Sequence, residues 1–487
     1  MNLHLSRLPV FIVWACLTGL FLVSAAQPAA GSWEYVGPHG FSASQIAFAK
    51  IAIDSSDTVY ATFQDYSLNA NAPLMRYNGS SWTSLATAGT GGVGYPSLAI
   101  DSNDVPSVGY SEYSCDLRGT VMRYNGAAYE YVGPSCFTSP SAFYTSLAIR
   151  ADTVPYLGYM DYGNSSKATV RRFMGSSWEV VGSAGFSAGG IDGLDLAFNS
   201  NHVPYVFYRD IPNSYEGTVM RFNGAFWEAV GPAGFTPSSV QWPSLAFDSN
   251  DVPYVGFADY AIGNEATVMR YVGGAWQLVG AQGFSAGHVT YMVIGIDHSD
   301  TLYAAYADSA NGVRLTVMKF NGTAWETVGP AGFTPGSADH LDLAFTSANV
   351  PYVVFRDGSI NNRATVMRYV LDATPTPAPT ATPVPTAVPS LTPTEGPTAT
   401  PTPAPTPACL HHGDVNGDGQ ITVGDAQLCF LFYADCALEN PTYEQYCAAD
   451  YCGSGRIAIC DGSVTPGDAL GILKAYLLIP DPCAKAE

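Results

Sequence analysis

The sequence predicts an all-β protein: a seven-bladed β-propeller over residues 33–370, followed by a linker and a small cysteine-rich module. Three observations predict it. The first is a repeat. Trp33, Trp82, Tyr129, Trp178, Trp227, Trp276 and Trp325 recur every 49 residues, shortened to 47 between Trp82 and Tyr129, a period found in propellers and solenoids. The second is the content of each unit. A "SLAF" run, a "VPYVGF" run, a "TVMRY" run and a "WEAVG" run follow one another. Each is apolar, β-branched or aromatic and too short for a helix. Four strands, here a to d in that order, make one blade. The third is the count. The chain enters with a lone d strand at Trp33 and leaves near Tyr369 with a lone a–b–c set. Pairing Trp33–Gly37 with Thr365–Tyr369 completes the last blade and removes the exposed edges. An open β-solenoid is the runner-up, but it needs caps at both ends, and none is visible.

The elements follow in order. Residues 1–26 carry Arg7, the apolar stretch Phe11–Val23 and Ser24-Ala25-Ala26, the pattern of a secretory signal peptide. No later apolar run is long enough to span a bilayer. An extracellular location with disulfides allowed is therefore expected. The formal charge of -21 argues against a nucleic-acid partner, which needs clustered Lys and Arg. Charged residues are 13% and aromatic residues 13% of the chain, a balance suited to neutral ligands.

Within each blade, Ser-Asn-Asp turns join a to b, and Asn-Gly or Gly-Gly turns join c to d. Asn-Gly between two such runs is a strong hairpin signal. The variable b–c and d–a loops then share the other face. Cys115 and Cys136 fall in two of those loops, so a disulfide between them is geometrically reasonable; free thiols are the alternative. Two positions before strand a sit Phe48, Tyr95, Tyr144, Gly193, Trp242, Tyr291 and His340. Apart from Gly193 they form a candidate ring around the channel mouth, and rings of this kind stack on sugars. The competing reading is that each ring wedges beneath its own loop.

Strand b ends in Asp65, Glu112, Asp161, Asp210, Asp259, Asp308 and Asp357, and strand c carries Arg76, Arg123, Arg172, Arg221, Arg270, Lys319 and Arg368. Seven equivalent copies lack the asymmetry that paired-carboxylate catalysis needs. Cross-strand Asp–Arg pairs or Asp-capped turns are expected instead. Asp192, Asp195, Asp339, His340 and Asp342 break the repeat and are the better catalytic candidates. His202 and His288 stand alone. No Ser-His-Asp arrangement, phosphate loop or zinc motif stands out.

Residues 373–408 are a Pro-Thr linker, extended as polyproline II. Residues 409–487 hold seven of the ten cysteines. Asp414, Asn416, Asp418, the Gln420 carbonyl and Asp425 occupy positions 1, 3, 5, 7 and 12 of a loop with Gly419 at position 6. Hard oxygens so spaced wrap one Ca2+, and an apolar helix pattern, Ala426 to Tyr433, follows. A second segment offers Asp461, Ser463, Thr465 and Asp468 before another helix pattern, but Ile457 and Ile459 hold its first two ligand positions. That site is expected to be weak or empty.

Residues 413–433 and 461–478 resemble the duplicated calcium-loop-and-helix segments of type I dockerins. The resemblance implies a small α-helical domain, Ca2+ as cofactor and a cohesin-type scaffold protein as partner. It also implies a link to polysaccharide degradation. The expected function is a secreted modular binding protein, a propeller platform for a polysaccharide or glycoprotein tethered through the dockerin-like module. The alternatives are a propeller glycoside hydrolase or polysaccharide lyase, and a non-enzymatic structural surface protein.

Overall fold

The computed structural model describes residues 31–371. The expected signal peptide, the linker and the expected dockerin-like module with its candidate calcium ligands lie outside the described residues. Within them the strands form seven four-stranded antiparallel sheets. Blade 1 is typical, with a at Ile46–Ile53, b at Val59–Asp65, c at Ala72–Tyr77 and d at Trp82–Ala88. The last blade takes a, b and c from Ala338–Phe345, Pro351–Asp357 and Arg363–Leu371, and its d strand from Gly31–Tyr35. Trp33 faces Tyr369 and Tyr35 faces Met367. This is the expected register, although the strand starts two residues earlier. The Val36 amide continues the pairing, donating to the Val366 carbonyl at 2.9 Å.

The recurring tryptophan has a physical reason. Trp227 stacks on Phe186 from the preceding d–a loop, ring centroids 4.3 Å apart and planes at 9°. Its indole Nε1 donates to the Val181 carbonyl of the preceding blade at 2.7 Å. Trp33, Trp82, Trp178, Trp276 and Trp325 each donate to the valine carbonyl of the blade before. An indole is large enough to fill the space between blades, and its single N–H satisfies an otherwise orphaned buried carbonyl. In blade 2 Tyr129 takes the place of the tryptophan, and its buried hydroxyl has no partner.

The a strands line the central channel, and side chains stitch them together. Hydroxyl oxygens of Ser97, Ser146 and Ser244 accept from the amides of Leu147, Leu196 and Ile294 in the next blade at 3.0–3.1 Å. Carboxylates replace the serines in blades 4 and 7: Asp195 accepts from the Leu245 amide at 2.8 Å and Asp342 from the Ile51 amide at 3.1 Å. The b–c loops open with a single 3-10 turn. Asp65, Asp161, Asp259, Asp308 and Asp357 cap these turns through a backbone N–H two residues on, so the Asp-capped turn is the form adopted. Among the described residues the repeated strand-b acids do not pair with the repeated strand-c cations, because the two sit at opposite ends of the blade. Arg123, Arg221, Lys319 and Arg368 instead pair with strand-d glutamates. Cys115 and Cys136 are disulfide-bonded, joining a b–c loop to the following d–a loop.

Candidate ligand-binding site at the channel mouth

The seven residues expected around the channel lie inside strand a, as its third residue, not two positions before it. Each sits at a β-bulge in the a–b pairing. The bulge puts the residue in the left-handed region. Phe48, Tyr95, Tyr144, Trp242, Tyr291 and His340 have φ between +46° and +56°, and Gly193 has +78°. Each non-glycine residue there costs about 1–2 kcal/mol. Blade 4 forms the same bulge with glycine, so the fold does not need a ring at this position. Bulges beside functional sites re-aim side chains, and these aim inward.

The side chains touch one another instead of wedging beneath their loops. Tyr144, Tyr95, Phe48, His340, Tyr291 and Trp242 form one chain of ring contacts, with centroids 4.1 to 5.1 Å apart. The tightest is the stacked Trp242–Tyr291 pair at 4.1 Å. All six remain half-buried. The collar is open only at Gly193, between Tyr144 and Trp242. It surrounds a cavity of about 620 Å³, within the size range of small-molecule sites. The Trp242 Nε1 is buried without a partner, a second cost borne at this position.

Two ion pairs flank the collar, and the one beside the notch lines its cavity. Beside the notch, Arg209 Nη1 donates to Asp192 Oδ2 at 2.5 Å. In blade 7, Arg356 grips Asp339 with two hydrogen bonds of 2.6 and 2.5 Å. The other blades carry no such pair at this register. Below the collar lie Asp195, Asp342 and Lys50. Burial pushes both carboxyls above the usual range, and Asp342 pushes Asp195 in the same direction. Lys50 Nζ stands 3.7 Å from Asp342. Of the five repeat-breaking candidates, Asp192, Asp195, His340 and Asp342 line one cavity, and Asp339 stands behind it beside His340. His202 lies on the opposite face, and His288 is exposed in a d–a loop.

Two groups escaped the sequence reading. The first residue of the 3-10 turn is Tyr66, Tyr113, Tyr162 or Tyr260 in four blades, 45–63% exposed. These stand outside the collar on the same face, and Tyr162 reaches Phe143 edge-on at 6.1 Å. The other group is Arg209 and Arg356. Each directly precedes a repeated strand-b Asp, at a position held by Gln64, Ser111, Met160, Ala258 or Ala307 in the other blades. That break in the repeat was a readable signal.

His340 is the titratable member of the collar. Burial pulls its pKa from 6.5 down to about 4; the Asp339 carboxylate opposes this and Arg356 adds to it. The unfolded chain takes up a proton as pH falls through 6.5, but the folded chain resists until about 4. The stability contributed by the neutral ring is therefore present above 6.5 and lost as pH falls towards 4. Stability read from thermal melts between pH 7 and 4.5 should fall more for the wild type than for His340→Gln, by on the order of 2 kcal/mol. The raised carboxyls of Asp195 and Asp342 act in the opposite direction and are common to both proteins. Parallel curves would remove His340 as the group responsible.

No known protein family matches the chain, and no curated protein matches it. Solved structures of similar shape include a protein of unknown function from Dyadobacter fermentans, at 10% identity and TM-score 0.45, covering 70% of this chain and 98% of that one. Another is the SapL1 lectin in complex with alpha methyl fucoside, at 16% identity and TM-score 0.42, covering 60% of this chain and 99% of that one. A third is the GH93 alpha-L-arabinofuranosidase of Fusarium graminearum with arabinobiose, at 11% identity and TM-score 0.42, covering 70% of this chain and 97% of that one. Likeness at this level carries no argument about what this chain binds. Among the described residues no helix is long and apolar enough to cross a membrane, and no cluster of three or more His, Cys, Asp or Glu side chains could hold a metal ion.

Proposed function

We propose that the collar binds a saccharide unit and that the propeller is a carbohydrate-binding platform. One observation carries this reading: five aromatic rings and a neutral imidazole are held in left-handed backbone around a channel mouth, where Gly193 shows that the fold does without them. Aromatic faces pack against the apolar faces of sugar rings, and a few fixed polar groups set orientation. The Asp192–Arg209 pair, which lines the cavity, supplies such groups. A glycan array together with a polysaccharide-digestion screen on the full chain tests the reading. Binding without products supports the platform. Silence in both assays leaves a structural surface protein.

A hydrolase or lyase is the second reading, favoured by Asp195 and Asp342. Their burial-raised carboxyls lie in the channel below the collar, and a carboxyl so raised suits a general acid. Both carboxylates also stitch neighbouring blades, so the binding reading accounts for them without catalysis. Product formation lost in Asp195→Asn and Asp342→Asn, with the fold retained, would decide for the enzyme.

The C-terminal residues extend the proposal to a secreted protein tethered through Ca2+. The support is the ligand spacing of Asp414, Asn416, Asp418, Gln420 and Asp425 and the resemblance to type I dockerins. Three carboxylates brought to one ion repel each other without it, so calcium should order the loop. Isothermal titration of residues 405–487 should show one strong site, because Ile457 and Ile459 cannot ligate through their side chains. Asp418→Ala should abolish that site and with it any binding to a cohesin. Two sites of equal strength would mean that the second loop is framed differently.

A further inference from the structure

The face opposite the collar carries its own repeat, and the junction between blades 3 and 4 departs from it furthest. On this face the a–b turn of one blade is stapled to that of the next. Ser55 donates its amide and hydroxyl to Asp104, as do Ser200 to Asp251, Ser249 to Asp300 and Ser347 to Asp57. Within each turn an Asp such as Asp54, Asp101, Asp248 or Asp297 caps the backbone. Between blades 2 and 3, where Thr153 holds the acceptor position, Ser102 Oγ donates to the Ala151 carbonyl instead, and between blades 6 and 7 the His298 amide donates to Asn349. Between blades 3 and 4 both staple residues and both capping aspartates are lost. Ala151 replaces the donor serine and His202 the acceptor aspartate, while Arg150 and Asn199 replace the two capping aspartates.

Three carboxylate positions are therefore vacated at one junction, and a cation takes one of them. The result is a cavity of about 480 Å³ lined by Arg150, Arg172, Arg221 and His202, with Asn199 and Asn201 and no carboxylate. The chain as a whole carries a formal charge of -21, so this concentration of positive charge is not a matter of composition. Asp152 pairs with Arg150, and Glu228 with Arg221; neither carboxylate lines the cavity. Arg172 is uncompensated. Its Nε is buried with no hydrogen-bond partner, and Glu179, its register neighbour, forms no ion pair with it among the described residues. An unpartnered buried guanidinium N–H is expensive unless something accepts from it.

The geometry points to this cavity as a binding site for an oxyanion carried on a saccharide, either a sulfate ester or a uronate carboxylate. The guanidinium fork matches both groups, donating two parallel N–H bonds to two oxygens. The volume exceeds what a bare ion needs and leaves room for the ring that bears it. The two buried tyrosines of the cavity, Tyr156 and Tyr205, give that ring an aromatic wall. This site does not rest on the reading of the collar, since it lies on the opposite face, between blades 3 and 4, and selects by charge.

Titration calorimetry on the full chain tests it with inorganic sulfate, glucuronate, a monosaccharide sulfate ester and neutral glucose, all at one ionic strength. The sulfate ester, glucuronate or both should bind, more tightly than inorganic sulfate, and glucose should not bind at this site. Affinity should fall as salt rises. Arg172→Gln should weaken binding roughly ten- to hundredfold. Arg150→Asp installs the residue that four other blades carry as Asp54, Asp101, Asp248 and Asp297, so it should keep the fold and still lose the anion. The double variant Ala151→Ser/His202→Asp restores the staple and should act likewise. Equal binding of glucose and its sulfate ester, no binding of any anion, or binding that survives both Arg150→Asp and Arg172→Gln would overturn the proposal. Inorganic sulfate binding as tightly as the ester would reduce the site to one for free anions.

Discussion

Deleting residues 27–40 opens the ring and removes most of its stability. The deletion takes away the d strand of the last blade, whose pairing with strand c runs from Gly31–Leu371 to Tyr35–Met367. It also removes Trp33, which stacks on Phe333 at 4.3 Å and donates to the Val328 carbonyl at 2.7 Å. Loss of the His39–Asp357 contact at 2.7 Å leaves the buried Asp357 with one partner fewer. Truncating a fully buried tryptophan costs about 3–5 kcal/mol; Trp33 is half-buried and costs part of that, and the exposed edge of strand c adds to it. A domain has only about 5–15 kcal/mol in hand. The truncated protein should melt far below the full chain or fail to fold, and Trp33→Ala should fall between them. Thermal denaturation followed by circular dichroism reads the result. An unchanged midpoint would show that the ring closes without this strand.

The second large effect concerns the collar. Trp242→Gly should weaken saccharide binding by about tenfold to a hundredfold, since burying an aromatic side chain against a ligand is worth roughly 1.5–3 kcal/mol. The same substitution should cost less stability than Trp242→Ala, because part of the packing lost with the half-buried indole is offset. It relieves about 1–2 kcal/mol of left-handed strain at φ +56°. It loses about 0.5–1.5 kcal/mol of stacking with Tyr291, and it removes the unpartnered indole donor. Trp242→Ala keeps the strain penalty and should be less stable than the glycine variant while binding equally poorly. Calorimetric affinity and melting temperature of the two variants separate a site residue from a core residue. If both variants lose stability and binding in proportion, the collar belongs to the core.

Much of this protein was legible in its sequence. Blade number, strand order, the face that carries the loops, the closure register and the collar residues all followed from the repeat. They did so because each blade solves the same local problem: alternation buries both faces of its sheet, Asn-Gly turns set the hairpins, and the tryptophan fills the gap to the neighbour. Repetition also made exceptions visible, and Asp192, Asp339, His340 and Gly193 were found in that way.

The tertiary structure decided what those residues do. Sequence spacing put the collar residues before strand a; the bulge that holds them within it is a property of two paired strands, and only the pairing reveals the strain. Spacing likewise allowed the strand-b acids to meet the strand-c arginines, but the strand reversal sends them to opposite ends of the blade. Arg209 meets Asp192 because the a–b register sets them opposite each other, 17 residues apart in the chain. Ala151 and His202 are 51 positions apart in the numbering. Their shared significance appears only where neighbouring blades bring their turns together. A sequence determines what one blade can be; which blade differs, and what gathers at its border, depends on contacts between blades, and no local pattern encodes those.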